Sequence, residues 1–148
     1  MNSVLISIKP EWCKLIIHGD KTIEVRKRKP EQVTVPFKAY VYASFGGENW
    51  SAYGKQKSGK VIGSFICDDI KMFYVPSSPW SVDHDLLEKS CLTYPQLHRY
   101  AGDQGYVYGW HIRDFENWDT PLPVGFFMDS KGNMFKRAPQ SWAYAIKA

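Results

Sequence analysis

Lys21, Glu24 and Arg26 lie within six residues of one another, in Gly19-Asp20-Lys21-Thr22-Ile23-Glu24-Val25-Arg26. A carboxylate between two cations has three uses. If burial lowers the lysine pKa, a Lys–Glu pair activates water or a hydroxyl for cleavage of an amide or phosphodiester. If the charges persist, the same groups hold an anionic ligand, or they form a structural ion pair. The spacing alone leaves all three open. Lys9 precedes Pro10 at the end of an apolar run, where it is placed to meet a phosphate. Thr22 falls on the same strand face as Glu24. Lys27, Arg28 and Lys29 follow at once and read as a solvated strand edge that discourages sheet aggregation.

Rings form the second set. Aromatics are 16% of the chain, with six Trp and nine Tyr. Trp12, Trp50, Trp110 and Trp142 are candidates for stacking on a base, a contact that contributes roughly 1–3 kcal/mol. Trp12 lies on an apolar helix face and fits the core. Trp50 stands near Tyr53, Lys55, Lys57 and Lys60, an arrangement suited to single-stranded RNA or, alternatively, to anchoring a protein partner. Trp110 and Trp142 sit in strand-like stretches and fit a core as well as a ligand site. Gln140 and Ser141 offer hydrogen bonds to a base edge or to backbone ends. The four histidines have no metal spacing, and no Gly-rich phosphate loop or Gly-x-Ser-x-Gly elbow occurs. No metal and no cofactor are expected.

These residues need elements to position them. The run Val4 to Ile8 predicts a strand, and Pro10 opens a helix that Gly19 closes. The alternation over 21–28 predicts a strand with Ile23 and Val25 on a dry face and Glu24 and Arg26 on a polar one. Further strands are predicted over 36–43, 61–72 and 105–115, with a short one near 124–128 and a last one over 142–146. Two short helices are predicted over 82–92 and 95–101, the second capped by Thr93. Residues 44–60 read as a long loop. Residues 117–133, punctuated by proline and glycine, read as largely irregular. Strands outnumber helices without alternating with them, which favours an α+β mixed barrel over a doubly wound fold.

The chain has 148 residues, 44% hydrophobic and 23% charged, enough for one domain spanning 1–148. Net charge is +4, unevenly spread: residues 1–60 hold 11 Lys+Arg against 5 Asp+Glu, and residues 61–148 hold 8 against 10. A basic N-terminal portion suits a polyanionic partner. Three widely spaced cysteines point to reduced thiols and a cytoplasmic location. No segment reaches membrane-spanning length, so no membrane partner is expected. Oligomeric state is open.

Ser7-Ile8-Lys9-Pro10 and the Gly19 to Arg26 segment together resemble the opening of ASCH domains, a strand, a helix and then Gly-x-Lys-x-x-Glu-x-Arg. Pro139-Gln140-Ser141-Trp142-Ala143-Tyr144 resembles the closing strand of bacterial and phage ASCH proteins. The resemblance implies a PUA-like mixed β-barrel with short flanking helices and a cleft beside the first helix. It also implies an RNA or nucleoside ligand for that cleft. Lys9, Thr22, Arg26, Trp50, Trp110, Gln140, Ser141 and Trp142 are the expected ligand-binding residues. The alternative is a small hydrolase, with Lys21 and Glu24 catalytic, acting on an N4-acetylcytidine-like nucleoside or cleaving RNA. Deacylating members carry Thr where this chain has Glu24, a departure that bears directly on that alternative.

Overall fold

The computed structural model describes residues 3–45 and 58–148. Trp50, Tyr53, Lys55 and Lys57 lie outside the described residues.

Strand β1 (Ser3–Ile8) is an almost wholly buried run. Lys9 leaves it in extended conformation and Pro10 begins helix α1 (Pro10–Ile17), whose buried residues are Pro10, Cys13 and Ile16. Gly19 ends the helix at φ +83°, a backbone state that disfavours a side chain. Its amide donates to Ile16, and that of Asp20 to Leu15, so the last carbonyls are satisfied. Strand β2 (Ile23–Arg26) follows. After it come β3 (Phe37–Ala43) and β4 (Lys60–Tyr74). Helices α2 (His84–Ser90) and α3 (Tyr94–Ala101) stand between β4 and β5 (Tyr106–Leu122). The chain ends with β6 (Phe127–Met128), β7 (Trp142–Tyr144) and β8 (Ile146–Lys147).

Six strands form one mixed sheet in the order β2-β5-β4-β3-β1-β7, and β6 with β8 form a small second one. Among the described residues only β1 and β3 pair in parallel; the other strand pairs there are antiparallel. The large sheet curls into a half-barrel, so its two edge strands, β2 and β7, approach one another. The main core packs Ile6, Ile8, Phe37, Phe65 and Trp110, with α1 supplying Cys13 and Ile16. Ile23 and Val25 go to a second cluster with Leu86 and Leu97 of α2 and α3. Leu5, Val61, Phe127 and Ala145 make a third.

The expected α+β mixed barrel with short helices takes the form of a half-barrel. Thr93 caps α3 in a full capping box with Gln96. Three local expectations need correction. Strand β5 runs on to Leu122 through the stretch read as irregular, because Trp118 and Leu122 pack on the third cluster. It stays paired with β4 through three register shifts. The expected strand near 124–128 is a 3-10 turn followed by two paired residues. The expected last strand divides between the two sheets at Ala145, which is fully buried. Among the described residues no helix is long and apolar enough to cross a membrane.

Candidate functional site

The alternation of β2 holds, but both of its faces are buried. Glu24 and Arg26 point away from the Ile23 and Val25 cluster, and with Lys21 they form a buried charged group. Lys21, only 2% exposed, donates from Nζ to the Ser90 carbonyl at 2.7 Å and lies 3.2 Å from Glu24 Oε1. The other carboxylate oxygen, Oε2, accepts from Arg26 Nη2 at 2.6 Å and Nε at 3.2 Å. Burial works to raise the Glu24 pKa. The nearby charges of Lys21 and Arg26 outweigh it and hold the carboxyl below its ordinary value of 4.5. The three residues therefore carry a net single positive charge.

Arg26 does more than neutralise. Its Nη2 also donates to the Ser7 carbonyl at 2.7 Å, and its Nη1 to the Ser141 carbonyl at 3.3 Å and hydroxyl at 3.0 Å. All five guanidinium donors are thereby engaged. Ser7 lies on β1, Arg26 on one edge strand, and Ser141 just ahead of the other. The guanidinium latches the seam of the half-barrel where no backbone ladder closes it. It leaves no donor for a ligand, so the expectation of Arg26 as a ligand contact is corrected: this side chain builds the wall.

Beside the latch, toward α1 and α3, the seam opens into a cleft of about 790 Å³. Lys9, Lys21, Glu24 and Arg26 share it, with Gln140 on the facing segment. Lys9 and Gln140 are exposed, and neither side chain has a hydrogen bond or ion pair among the described residues. Trp12 packs against the main core, as expected, and also lines the cleft, with Lys21 Nζ 5.4 Å from the centre of its ring.

Other expected residues lie elsewhere. Trp110 is 0% exposed, packed edge-on to Phe37 at 5.8 Å and tilted against Trp142, so it is a core residue and no stacking platform. Thr22 does not line the cleft. It precedes β2, its amide donating to Lys89 and its carbonyl accepting from Ile112. Ser141 holds Arg26 and is not in the cleft lining. Trp142 borders a separate groove past the latch. Trp50 lies outside the described residues.

Sequence reasoning missed Tyr42, Gln96, Arg99 and Tyr100, all on the cleft wall. A signal for the last three existed. Positions 96, 99 and 100 share one face of α3, while Leu97 and Ala101 face the core.

No protein-family model matches the sequence, and no curated protein matches it. Solved structures do. The crystal structure of ASCH from Zymomonas mobilis matches at 21% identity with a TM-score of 0.67, covering 97% of this chain and 87% of that one. Two single-residue mutants of that protein match at 19% identity, with TM-scores of 0.64 and 0.65 and 97% of this chain covered. The chain has the ASCH-domain fold.

Proposed function

We propose that this is an RNA-binding ASCH domain whose seam cleft holds one nucleotide of RNA or a free nucleoside. The observation that carries the reading is the cleft's composition. One wall holds a buried group with a surplus positive charge, the rim holds the unpaired cation Lys9, and Trp12, Tyr42 and Tyr100 offer rings. Phosphate meets charge, a base meets an aromatic face, and the Gln140 amide is available to a base edge. A volume of about 790 Å³ lies within the range of small-molecule sites, about 300–1,000 Å³. The ASCH fold and the motif residues support the same assignment. The cytoplasmic location belongs to this proposal; Cys13, Cys67 and Cys91 form no disulfide with one another.

Fluorescence anisotropy with labelled single-stranded RNA tests it. Micromolar or tighter binding is expected at low salt, weakened in Lys9→Ala and in Gln140→Ala. Lys9→Ala should reduce the slope of log affinity against log salt by about 0.7, the share of one phosphate on a single strand. Absence of binding to any RNA or nucleoside at low salt rules the reading out.

A hydrolase is the second reading, favoured by Lys21 and Glu24 standing 3.2 Å apart on the cleft wall. Its substrates would be an N4-acetylcytidine-like nucleoside or RNA. Against it, Glu24 has both oxygens engaged by cations and a lowered pKa, which makes it a weak base at neutral pH. Turnover of either substrate, lost in Lys21→Ala, would reverse the preference.

A further inference from the structure

We propose that the groove past the Arg26 latch is a second subsite, which takes the neighbouring nucleotides of a single-stranded RNA whose anchoring residue sits in the cleft. This rests on the reading of the cleft as a nucleotide site and names the form of its ligand: an extended strand rather than a lone nucleoside.

The seam is one structure with two openings. On one side of it the chain runs from Glu24 through Arg26 to Arg28 and Glu31. On the other it runs from Gln140 through Ser141 to Trp142 and Tyr144. Arg26 joins the two at Ser141. Beyond that point Arg28 lies over Trp142 at 5.2 Å, and the Tyr144 hydroxyl accepts from the amides of Glu31 and Gln32. The groove enclosed there has a volume of about 490 Å³.

Its chemistry is that of a strand track. Lys27, Arg28 and Lys29 are consecutive cations on its wall. Among the described residues none of the three has a carboxylate within ion-pair distance. Each is instead set over a ring, Lys27 over Tyr100, Arg28 over Trp142 and Lys29 over Tyr108, at 5.5, 5.2 and 5.7 Å. Two carboxylates also border the groove, Glu31 and Asp129. Asp129 Oδ1 is already committed to the amides of Lys131 and Asn133. Three adjacent like charges without counter-ions repel one another, and a phosphate chain relieves that repulsion. The rings and the planar guanidinium of Arg28 supply stacking faces that tolerate any base.

Lys27, Arg28 and Lys29 are exposed and directly follow the edge strand β2, as the solvated-edge reading expects, and they line the groove besides. Their backbone is also fixed in place: the Lys27 amide donates to the Tyr100 hydroxyl, and Gln104 donates to the Lys27 carbonyl. Tyr100 lines the cleft and lies under Lys27, so the two openings share a side chain.

The test compares the four ribonucleoside monophosphates with a mixed-sequence RNA of about eight nucleotides, a length within the usual single-strand site sizes. Both are titrated into wild type, Lys9→Ala and the double variant Arg28→Ala with Lys29→Ala. The substituted groove residues are exposed, and an unchanged Tm checks that the variant folds. The double variant should bind the oligomer roughly tenfold more weakly, lower its salt slope by about 1.4, and leave monophosphate binding unchanged. Oligomer binding equal to wild type in the double variant, with Lys9→Ala still impaired, removes the groove subsite and leaves the cleft reading intact. Loss of monophosphate binding in the double variant also overturns it, because the groove would then be part of the cleft. If wild type binds neither probe, both readings fall together.

Discussion

The behaviour of Glu24 follows from what surrounds it. A buried carboxylate held by two cations is stable as a set and costly to break. Glu24→Gln leaves Lys21 and Arg26 uncompensated, and Arg26→Ala leaves Glu24 with one cation and removes the three hydrogen bonds that run from Arg26 to Ser7 and Ser141. Each is expected to cost about 3–5 kcal/mol in chemical denaturation. Two similar mutants with little effect would mean that water replaces the missing partner. The pH dependence has a definite sign. The folded pKa of Glu24 lies below 4.5, so its contribution is complete above that value and disappears as pH falls through the lower, folded value. Acid denaturation of wild type should therefore be steeper below pH 4.5 than that of Glu24→Gln. The sequence made this triad legible as a group, because residue types and spacing carry it. It did not make the role of Arg26 legible. Ser141 is 115 positions away, and nothing local indicates that one guanidinium consumes every donor on a seam.

At the level of elements, the helices and strands closest to the site were read best where local chemistry is strong. The Pro10 start of α1, the Gly19 stop and the Thr93 cap are each set by one residue's backbone or side-chain preference. Thr93→Ala should cost about 1 kcal/mol, measured as a shift in the denaturation midpoint, since α3 loses the hydroxyl that accepts from the Gln96 amide and keeps only the Gln96 arm of its capping box. A midpoint that does not move would show the helix held by Leu97 and Ala101 alone. The long strand β5 was misread for the opposite reason. Its outer half carries Pro121 and polar residues, and what keeps it extended is tertiary contact with β4 and the third cluster. Close approach there is strict: a Cβ at Gly63 would collide with the Glu116 carbonyl. Gly63→Ala should therefore displace one of the two strands and lower Tm, an effect that Gly125→Ala, where a Cβ would meet the Phe135 carbonyl at an ordinary 3.9 Å, should not share. Equal Tm values for the two variants would count against that close packing. Gln96, Arg99 and Tyr100 escaped notice because the face they share, though legible, does not by itself say what it faces.

Over the whole molecule, the half-barrel is finished by side chains. Strands β2 and β7 are the two edges of one sheet, and they meet through Arg26, Ser141, Arg28, Trp142 and Tyr144. The openings along that seam exist because backbone pairing stops short of closure. A chain shortened to end at residue 138 loses β7, β8 and the far side of the seam. It should be destabilised by more than Arg26→Ala and should bind no RNA, as read by denaturation and anisotropy on the same sample. Retention of binding by the shortened chain would place the ligand elsewhere.

The same arrangement fixes a moment in the molecule's manufacture. Ribosomes release the amino-terminal end first, so Lys21, Glu24 and Arg26 emerge long before their seam partner, with 115 positions between Arg26 and Ser141. Until Ser141 leaves the exit tunnel, the guanidinium has no far rim to grasp. The seam and the two openings along it therefore form only after Ser141 has been made.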